Sequence, residues 1–370
     1  MNKPLHKKEN ATRSRRLAPD ESHIATLSSK FGRRWPAIRQ AADFSRHEKE
    51  RLRDILANQN QSDTSIVIFG SLARNEFTSG SDLDWTLLVD GQADVDHLTL
   101  ARKIREILKR KKYERPGPTG IFGNVSFSHS IVHEIGGEDD TNKNTTQRIL
   151  LLLESCVIGK ADAYNRVLDA VLQRYVGDDS GLRHTHPDGF RVPRFLLNDI
   201  VRYWRTVTVD FVYKQVERND GWALRNAKLR MSRKLLFAAG ILVCFGVNDS
   251  EPAVRDCMVG QDSNYGPLLK YLKAKFAMTP LELLAEVMIQ KKIQPEVCLG
   301  IFDSYNEFLN LLGQKGVRKH IKGLTHRKAP EDDIYSQFQQ LGRTFHENIV
   351  SLLYHQNEGL RKLTELYGIF

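Results

Sequence analysis

Cysteine is scarce in this 370-residue chain. There are four, Cys156, Cys244, Cys257 and Cys298, far apart and with no Cys-x-x-Cys pair. Such spacing excludes a zinc-binding or disulfide framework, and each reads as a small hydrophobe in a reduced compartment. Long apolar runs are also missing. The longest, Leu235 to Val247, has thirteen residues including Gly240 and Gly246. A bilayer-spanning helix needs about 20, so this run reads as a buried core helix. No apolar core follows the basic residues at the N-terminus, so no secretory signal is expected. These absences lead to the expectation of a cytoplasmic protein with no membrane partner. No internal repeat is visible.

What is present is basic charge. Lys plus Arg number 55 against 45 Asp plus Glu, a net charge of +10. Residues 1–20 hold six basic and two acidic side chains, and residues 191–234 hold eleven and four. The rest of the chain is close to neutral. An excess of this kind predicts anionic partners, either phosphates or nucleic acid. At about 100–200 residues per domain, the length predicts two domains.

Residues 1–20 are polar and basic and read as a flexible arm. Residues 45–59 read as an amphipathic helix with Ser45 as N-cap. Thr64–Phe69 is a β-branched apolar run and predicts a buried strand ending at Gly70-Ser71. Asp82–Val89 reads as a second strand, Asp94–Lys112 as a helix and Val125–Ile135 as a third strand. Helices are expected over Thr141–Val157 and Ala161–Tyr175. Beyond Gly181 every periodic segment is helical: Arg194–Val216, Leu224–Phe245, Leu268–Phe276, Pro280–Gln290 and a last helix from Asp332 to Tyr367. Arg318–Lys328 reads as a basic linker. The organisation expected is an arm at 1–20, a mixed domain at 21–180, a helical domain at 181–330 and a C-terminal helix at 331–370 packed on it. The fold class expected is α+β.

The chemistry lies in Ile66 to Val89, IVIFGSLARNEFTSGSDLDWTLLV. Asp82 and Asp84, two apart on a strand, face the same way. Two adjacent carboxylates repel unless a cation sits between them, and an all-oxygen site suits Mg²⁺, which takes one or two protein carboxylates plus phosphate oxygens. Gly70 permits close approach of backbone to a phosphate, and Ser71 opens a helical turn whose free N–H groups suit an anion. Together these parts would hold a metal–triphosphate complex.

This stretch resembles the DNA polymerase β-like nucleotidyltransferase superfamily, in which Gly-Ser precedes Asp-x-Asp on the next strand. Its fuller form here, with Gly70, Ser71, Ala73, Arg74, Glu76, Ser81, Asp82 and Asp84, looks like the nucleotidyltransferase domain of the bacterial protein-PII uridylyltransferases. The resemblance implies a polymerase β-like mixed sheet followed by helices, and metal-dependent transfer of a nucleoside monophosphate from a nucleoside triphosphate with release of pyrophosphate. Asp82 and Asp84 are the expected Mg²⁺ ligands. The acceptor expected is a protein side chain, with an RNA 3′ end or a second nucleotide as alternatives. A nucleotide- or RNA-binding module without catalysis is the rival reading. In this chain no His is immediately followed by Asp, so no hydrolase activity of the kind those enzymes carry is expected.

The superfamily usually has a third carboxylate on a later strand, and Glu134 is the first choice here, with Asp139 and Asp140 as alternatives. His129 and His133 are expected on the apolar face of that strand as core residues. In the helical region, Lys228 and Ser232 lie one turn apart and are placed on the β and γ phosphates. Arg218, Arg225 and Arg233 read as solvated residues. Arg74 is expected to brace its turn by pairing with Glu76 or another carboxylate. His184 and His186 read as an ordinary loop.

Overall fold

A computed structural model describes residues 22–59, 61–114, 116, 121–179, 182, 189–217, 221–255 and 265–368. The arm at 1–20, His184, His186, Arg218 and Cys257 lie outside the described residues.

The chain begins with two helices, α1 (His23–Phe31) and α2 (Pro36–Leu56). It continues with β1 (Thr64–Phe69), the one-turn helix α3 (Gly70–Ala73), β2 (Trp85–Val89), α4 (Val95–Arg110), β3 (Val125–Phe127), α5 (Ser128–Val132), α6 (Asn142–Leu153), β4 (Ser155–Ile158) and α7 (Asp162–Gly177). The remainder is helical: α8 (Arg194–Glu217), α9 (Trp222–Lys228), a π-helical turn (Leu229–Arg233), α10 (Lys234–Gly246), α11 (Pro252–Arg255), α12 (Gly266–Phe276), α13 (Pro280–Gln290), α14 (Pro295–Gly313), α15 (Lys315–Gly323), a 3₁₀ turn (Ala329–Glu331), α16 (Asp333–Tyr354) and α17 (Glu358–Tyr367). The α+β class holds. No helix among the described residues is long and apolar enough to cross a membrane.

The four strands form one sheet in the order β3-β2-β1-β4. β1 pairs antiparallel with β2 and β4, and β2 pairs parallel with β3. Every residue of β1 and β2 is buried, because helices cover both faces. Ile66, Ile68, Leu87 and Val89 face one way, into a core closed by Leu52, Leu100 and Ile104 of α2 and α4. Val67, Phe69 and Leu88 face the other way, into a larger core shared with α6, α7 and the C-terminal helices. That core crosses residue 181 without a break. The N-terminal helices also reach the C-terminal ones. Trp35 donates its indole N–H to Asp303 at 2.8 Å, and the Ala37 amide donates to Asn306 at 2.9 Å.

Several expectations need correction. Ser45 is not a cap but lies mid-helix in α2, fully buried, where its hydroxyl donates to the Ala41 carbonyl and accepts from the Phe77 amide. β2 starts at Trp85, so Asp82 and Asp84 lie in the segment leading into the strand. The expected strand Val125–Ile135 stops at Phe127 and turns into α5, which leaves His129 exposed on that helix and His133 exposed just past its end rather than in a core. The helix expected to run to Val157 ends at Leu153. There the chain breaks at Glu154 and leaves as β4, an outcome set by pairing with β1 that helical periodicity cannot register. The first part of the expected basic linker, Arg318–Gly323, belongs to helix α15, and only the rest is irregular. α14 had no counterpart among the expected elements. The last helix is two, divided where Asn357 caps α17 by accepting from the Leu360 amide.

Candidate active site

Gly70, directly after β1, has φ +69°, in the left-handed region where glycine is at ease. A Cβ there would come within 3.1 Å of the Asp84 Oδ2 atom, so a side chain would crowd the carboxylate. The loop after α3 closes on itself. The Ser81 amide donates to the Thr78 carbonyl at 2.9 Å, and the two hydroxyls lie 3.1 Å apart. Leu83 then plunges into the smaller core at 1% exposure. Its neighbours on either side, Asp82 and Asp84, therefore turn the opposite way, toward the helical region. The Asp84 carbonyl accepts from the Phe69 amide at 2.9 Å and so fixes this segment against β1.

Asp82 and Asp84 line a cleft of about 530 Å³, open on one side, together with Gly70, Ser71, Lys228 and Ser232. Lys228 and Ser232 thus come to the Asp-x-Asp segment from more than 140 residues away in sequence. The Lys228 ammonium is 3.8 Å from Asp82 Oδ1. Burial and the Arg318 charge push this ammonium below its ordinary range, although Asp82 and Asp84 pull it up. The Ser232 hydroxyl accepts from Tyr305 at 3.4 Å. The intervening π turn explains why Arg233 lines the same cleft rather than a solvated face. A turn closed by i to i+5 bonds brings residues five apart onto one side, which an α-helix does not.

The carboxylates are in unequal states. Burial and the charges of Asp82 and Glu154 push the Asp84 carboxyl up to about 7, against the pull of Lys228 and Arg233. Burial also opposes ionisation of Asp82, but Lys228 and Arg318 outweigh it and hold that carboxyl below its usual range. Two half-buried carboxylates side by side favour a cation between them. Among the described residues no third His, Cys, Asp or Glu joins them in a metal-binding group. Two carboxylates, with phosphate and water oxygens completing the shell, are a donor set that fits Mg²⁺.

Glu134 is not brought to the cleft. It follows α5 in a turn, where its carboxylate accepts from the Asn144 side-chain amide at 2.6 Å. The register explains why. β3 runs parallel to β2 with Val125 opposite Leu87, and the Gly123 amide donates to the Trp85 carbonyl. The Asp84 end of β2 therefore lies beside Gly123 and Phe122, and everything after Phe127 is carried away from it. Asp140 is likewise elsewhere, buried against Arg148 and Arg202.

Arg318, Glu154 and Arg233 belong to the site, and sequence reasoning missed all three. Arg318 of α15 reaches Asp82 Oδ1 at 3.4 Å and the Thr78 hydroxyl at 3.5 Å, passing over Gly80, where a Cβ would lie 2.8 Å from its Cδ. Glu154, fully buried at the break before β4, binds Arg74 and also Arg233 at 2.5 Å. Arg74 pairs in addition with Glu76 at 2.7 Å. This buried network ties α3, β4 and the π turn into one unit around the cleft. A glycine four residues before Asp84 and an acid at a helix end are weak signals, and neither would have identified these partners.

A second, smaller hollow of about 300 Å³ lies under the other face of the sheet, between Phe69, Phe122 and Leu151. It contains no ionisable side chain, so it offers nothing to neutralise a triphosphate.

Residues 49–116 match the family model described as a nucleotidyltransferase domain. The matched stretch runs from the middle of α2 through β1, α3, β2 and α4, and contains Gly70, Ser71, Asp82 and Asp84. It supports a nucleotidyltransferase domain of the polymerase β-like superfamily within the α+β half, and with it nucleotidyl transfer from a nucleoside triphosphate. No curated protein matches the chain.

Proposed function

We propose that the protein is a Mg²⁺-dependent nucleotidyltransferase that moves a nucleoside monophosphate from a nucleoside triphosphate to an acceptor hydroxyl. The observation that carries this reading is the convergence on one cleft of Asp82 and Asp84 with Lys228 and Arg318, from widely separated parts of the chain. Asp82 and Asp84 hold the metal, which supplies charge neutralisation on the triphosphate and alignment of the attacked phosphorus. Lys228, Ser232 and Arg318 take the β and γ phosphates, and Gly70 leaves room beside Asp84. The acceptor oxygen bonds to the α-phosphorus, and the bond from that phosphorus to the bridging oxygen breaks. Pyrophosphate departs with the bonding electrons, and the hydroxyl proton passes to solvent.

Glu134 is not assigned a part in this scheme. Glu154 is a positioning residue, since both its oxygens are engaged by arginines. The motif's resemblance to protein-PII uridylyltransferases favours a protein acceptor, and the basic surface favours RNA. Incubating the protein with Mg²⁺ and each α-labelled nucleoside triphosphate in cell lysate tests the assignment. Label is expected in a macromolecule with the native chain and to fall, by at least about 100-fold, with Asp82→Ala. Equal labelling by the variant would remove Asp82 from the chemistry.

A further inference from the structure

Helix α15 has two unlike faces. Its inner face carries Ile321 into the core and Arg318 onto Asp82. Its outer face exposes Lys315, Lys319 and Lys322, which share one side at i, i+4 and i+7. The segment from 315 to 328 holds six Lys or Arg and no acidic residue, and Arg327 and Lys328 at its end are also exposed.

A second basic cluster meets this one. α4 ends in Lys109 and Arg110, and Lys111 and Lys112 follow, all four exposed. Lys322 bridges the two clusters, with its ammonium 3.8 Å from the Glu114 carboxylate. On the same helix, Arg318 reaches Asp82 at 3.4 Å, so the helix borders the cleft. The α15 cluster therefore borders the cleft through its own helix, and the Lys322–Glu114 pair brings the end of α4 beside it. Among the described residues no carboxylate lies within ion-pair distance of Lys109, Arg110, Lys111, Lys112, Lys315, Lys319, Arg327 or Lys328. Like charges gathered without counter-charges repel one another, and a polyanion relieves that repulsion while releasing its own counterions.

We propose that this surface docks a single-stranded RNA and delivers its terminal ribose hydroxyl to the cleft as the acceptor. The inference rests on the nucleotidyl-transfer reading for its catalytic half only. Phosphate contacts through exposed lysines position a strand without reading its sequence. A protein acceptor is less well matched, because interfaces between proteins are depleted in lysine and are built around aromatic and apolar anchors, and this surface presents lysine throughout.

The test is equilibrium binding of a short fluorescent single-stranded RNA of mixed sequence to the full chain over a salt series. The variants are K111E/K112E and K319E/R327E/K328E. These residues touch neither Asp82 nor the phosphate-binding groups, and all are exposed, so folding is retained and is checked by thermal melting. Each set is expected to weaken RNA binding by about tenfold or more. The slope of log affinity against log salt should flatten by about 0.7 for each phosphate that the variant no longer neutralises. Binding of a nucleoside triphosphate should be unchanged. RNA affinity equal to the native chain's in both variants overturns the proposal, as does absence of RNA binding by the native chain. So does lysate label that moves to a protein and disappears in these variants, which identifies an acidic protein as the occupant. RNA binding needs no catalysis. If the RNA binds as expected and no acceptor is labelled, the transfer reading fails and the docking surface stands.

Discussion

Asp82 is approached by two cations: Lys228 at 3.8 Å and Arg318 at 3.4 Å both face one of its oxygens. In the proposed metal–triphosphate complex, the same two cations would border the phosphates. A hydrogen bond to a charged group contributes about 1.5–3 kcal/mol. Lys228→Ala and Arg318→Ala are therefore each expected to weaken binding of a fluorescent nucleoside triphosphate by about tenfold to a hundredfold. Their thermal midpoints should stay within a few degrees of the native value. An unchanged affinity in either variant would show that its cation serves only to compensate Asp82. Gly70, Ser71, Asp82 and Asp84 were legible in the sequence because they fall within fifteen residues, where strand and turn rules apply directly. Arg318 was not, because it meets Asp82 across 236 positions of chain. Glu134 was chosen from the expectation of a long third strand, and the parallel register of β3 takes it away from the cleft.

The π turn at Leu229–Arg233 is the clearest case of an element doing what its sequence does not announce. Residues 224–245 carry a smooth helical pattern, and the extra residue becomes visible only where Tyr305 and Glu154 take Ser232 and Arg233 from the turn while Asp82 takes Lys228 just before it. Deleting Arg230 restores α-helical phasing and rotates Lys228 by about 100° relative to Ser232 and Arg233. Helicity measured by circular dichroism should be retained, while affinity for the nucleoside triphosphate should fall at least tenfold. A deletion variant that binds as tightly as the native chain would mean that the π turn is incidental. β1 was read to the residue because a fully buried strand is a plain apolar run. β4 was hidden inside a longer apolar stretch, since only pairing with β1 distinguishes its four residues from the helix before them.

At the scale of the molecule, the two halves are locked by a buried cluster. Arg148, with no exposure, pairs with Asp140 at 2.9 Å and with Asp199 of α8 at 2.6 Å, and Arg202 adds a further bond to Asp140. Burial opposes ionisation of Asp140, but Arg148, the Gly136 amide and Arg202 outweigh it and hold the carboxyl below its ordinary range. A carboxyl whose pKa is depressed by folding adds stability that is complete above the unfolded value, about 3.9, and is lost as pH falls through the lower folded one. Asp140→Asn should cost about 3 kcal/mol in urea unfolding at neutral pH. The deficit should narrow below about pH 4, as the native chain loses the same charge. A deficit that is constant with pH would point to packing rather than ion pairing. The alternation of a mixed first half with a helical second half could be read from periodicity. The single core running through both could not, because α1 and α2 pair with the last third of the chain.

Nucleotidyl transfer is defined by which phosphorus is attacked, and labelling the nucleoside triphosphate at two positions decides it. With Mg²⁺ and either single-stranded RNA or lysate protein present, label at the α position should enter the acceptor. Label at the γ position should leave as pyrophosphate in equal amount. Transfer of the γ label to the acceptor, or its release as inorganic phosphate with the α label left on a nucleoside diphosphate, would contradict nucleotidyl transfer at Asp82 and Asp84.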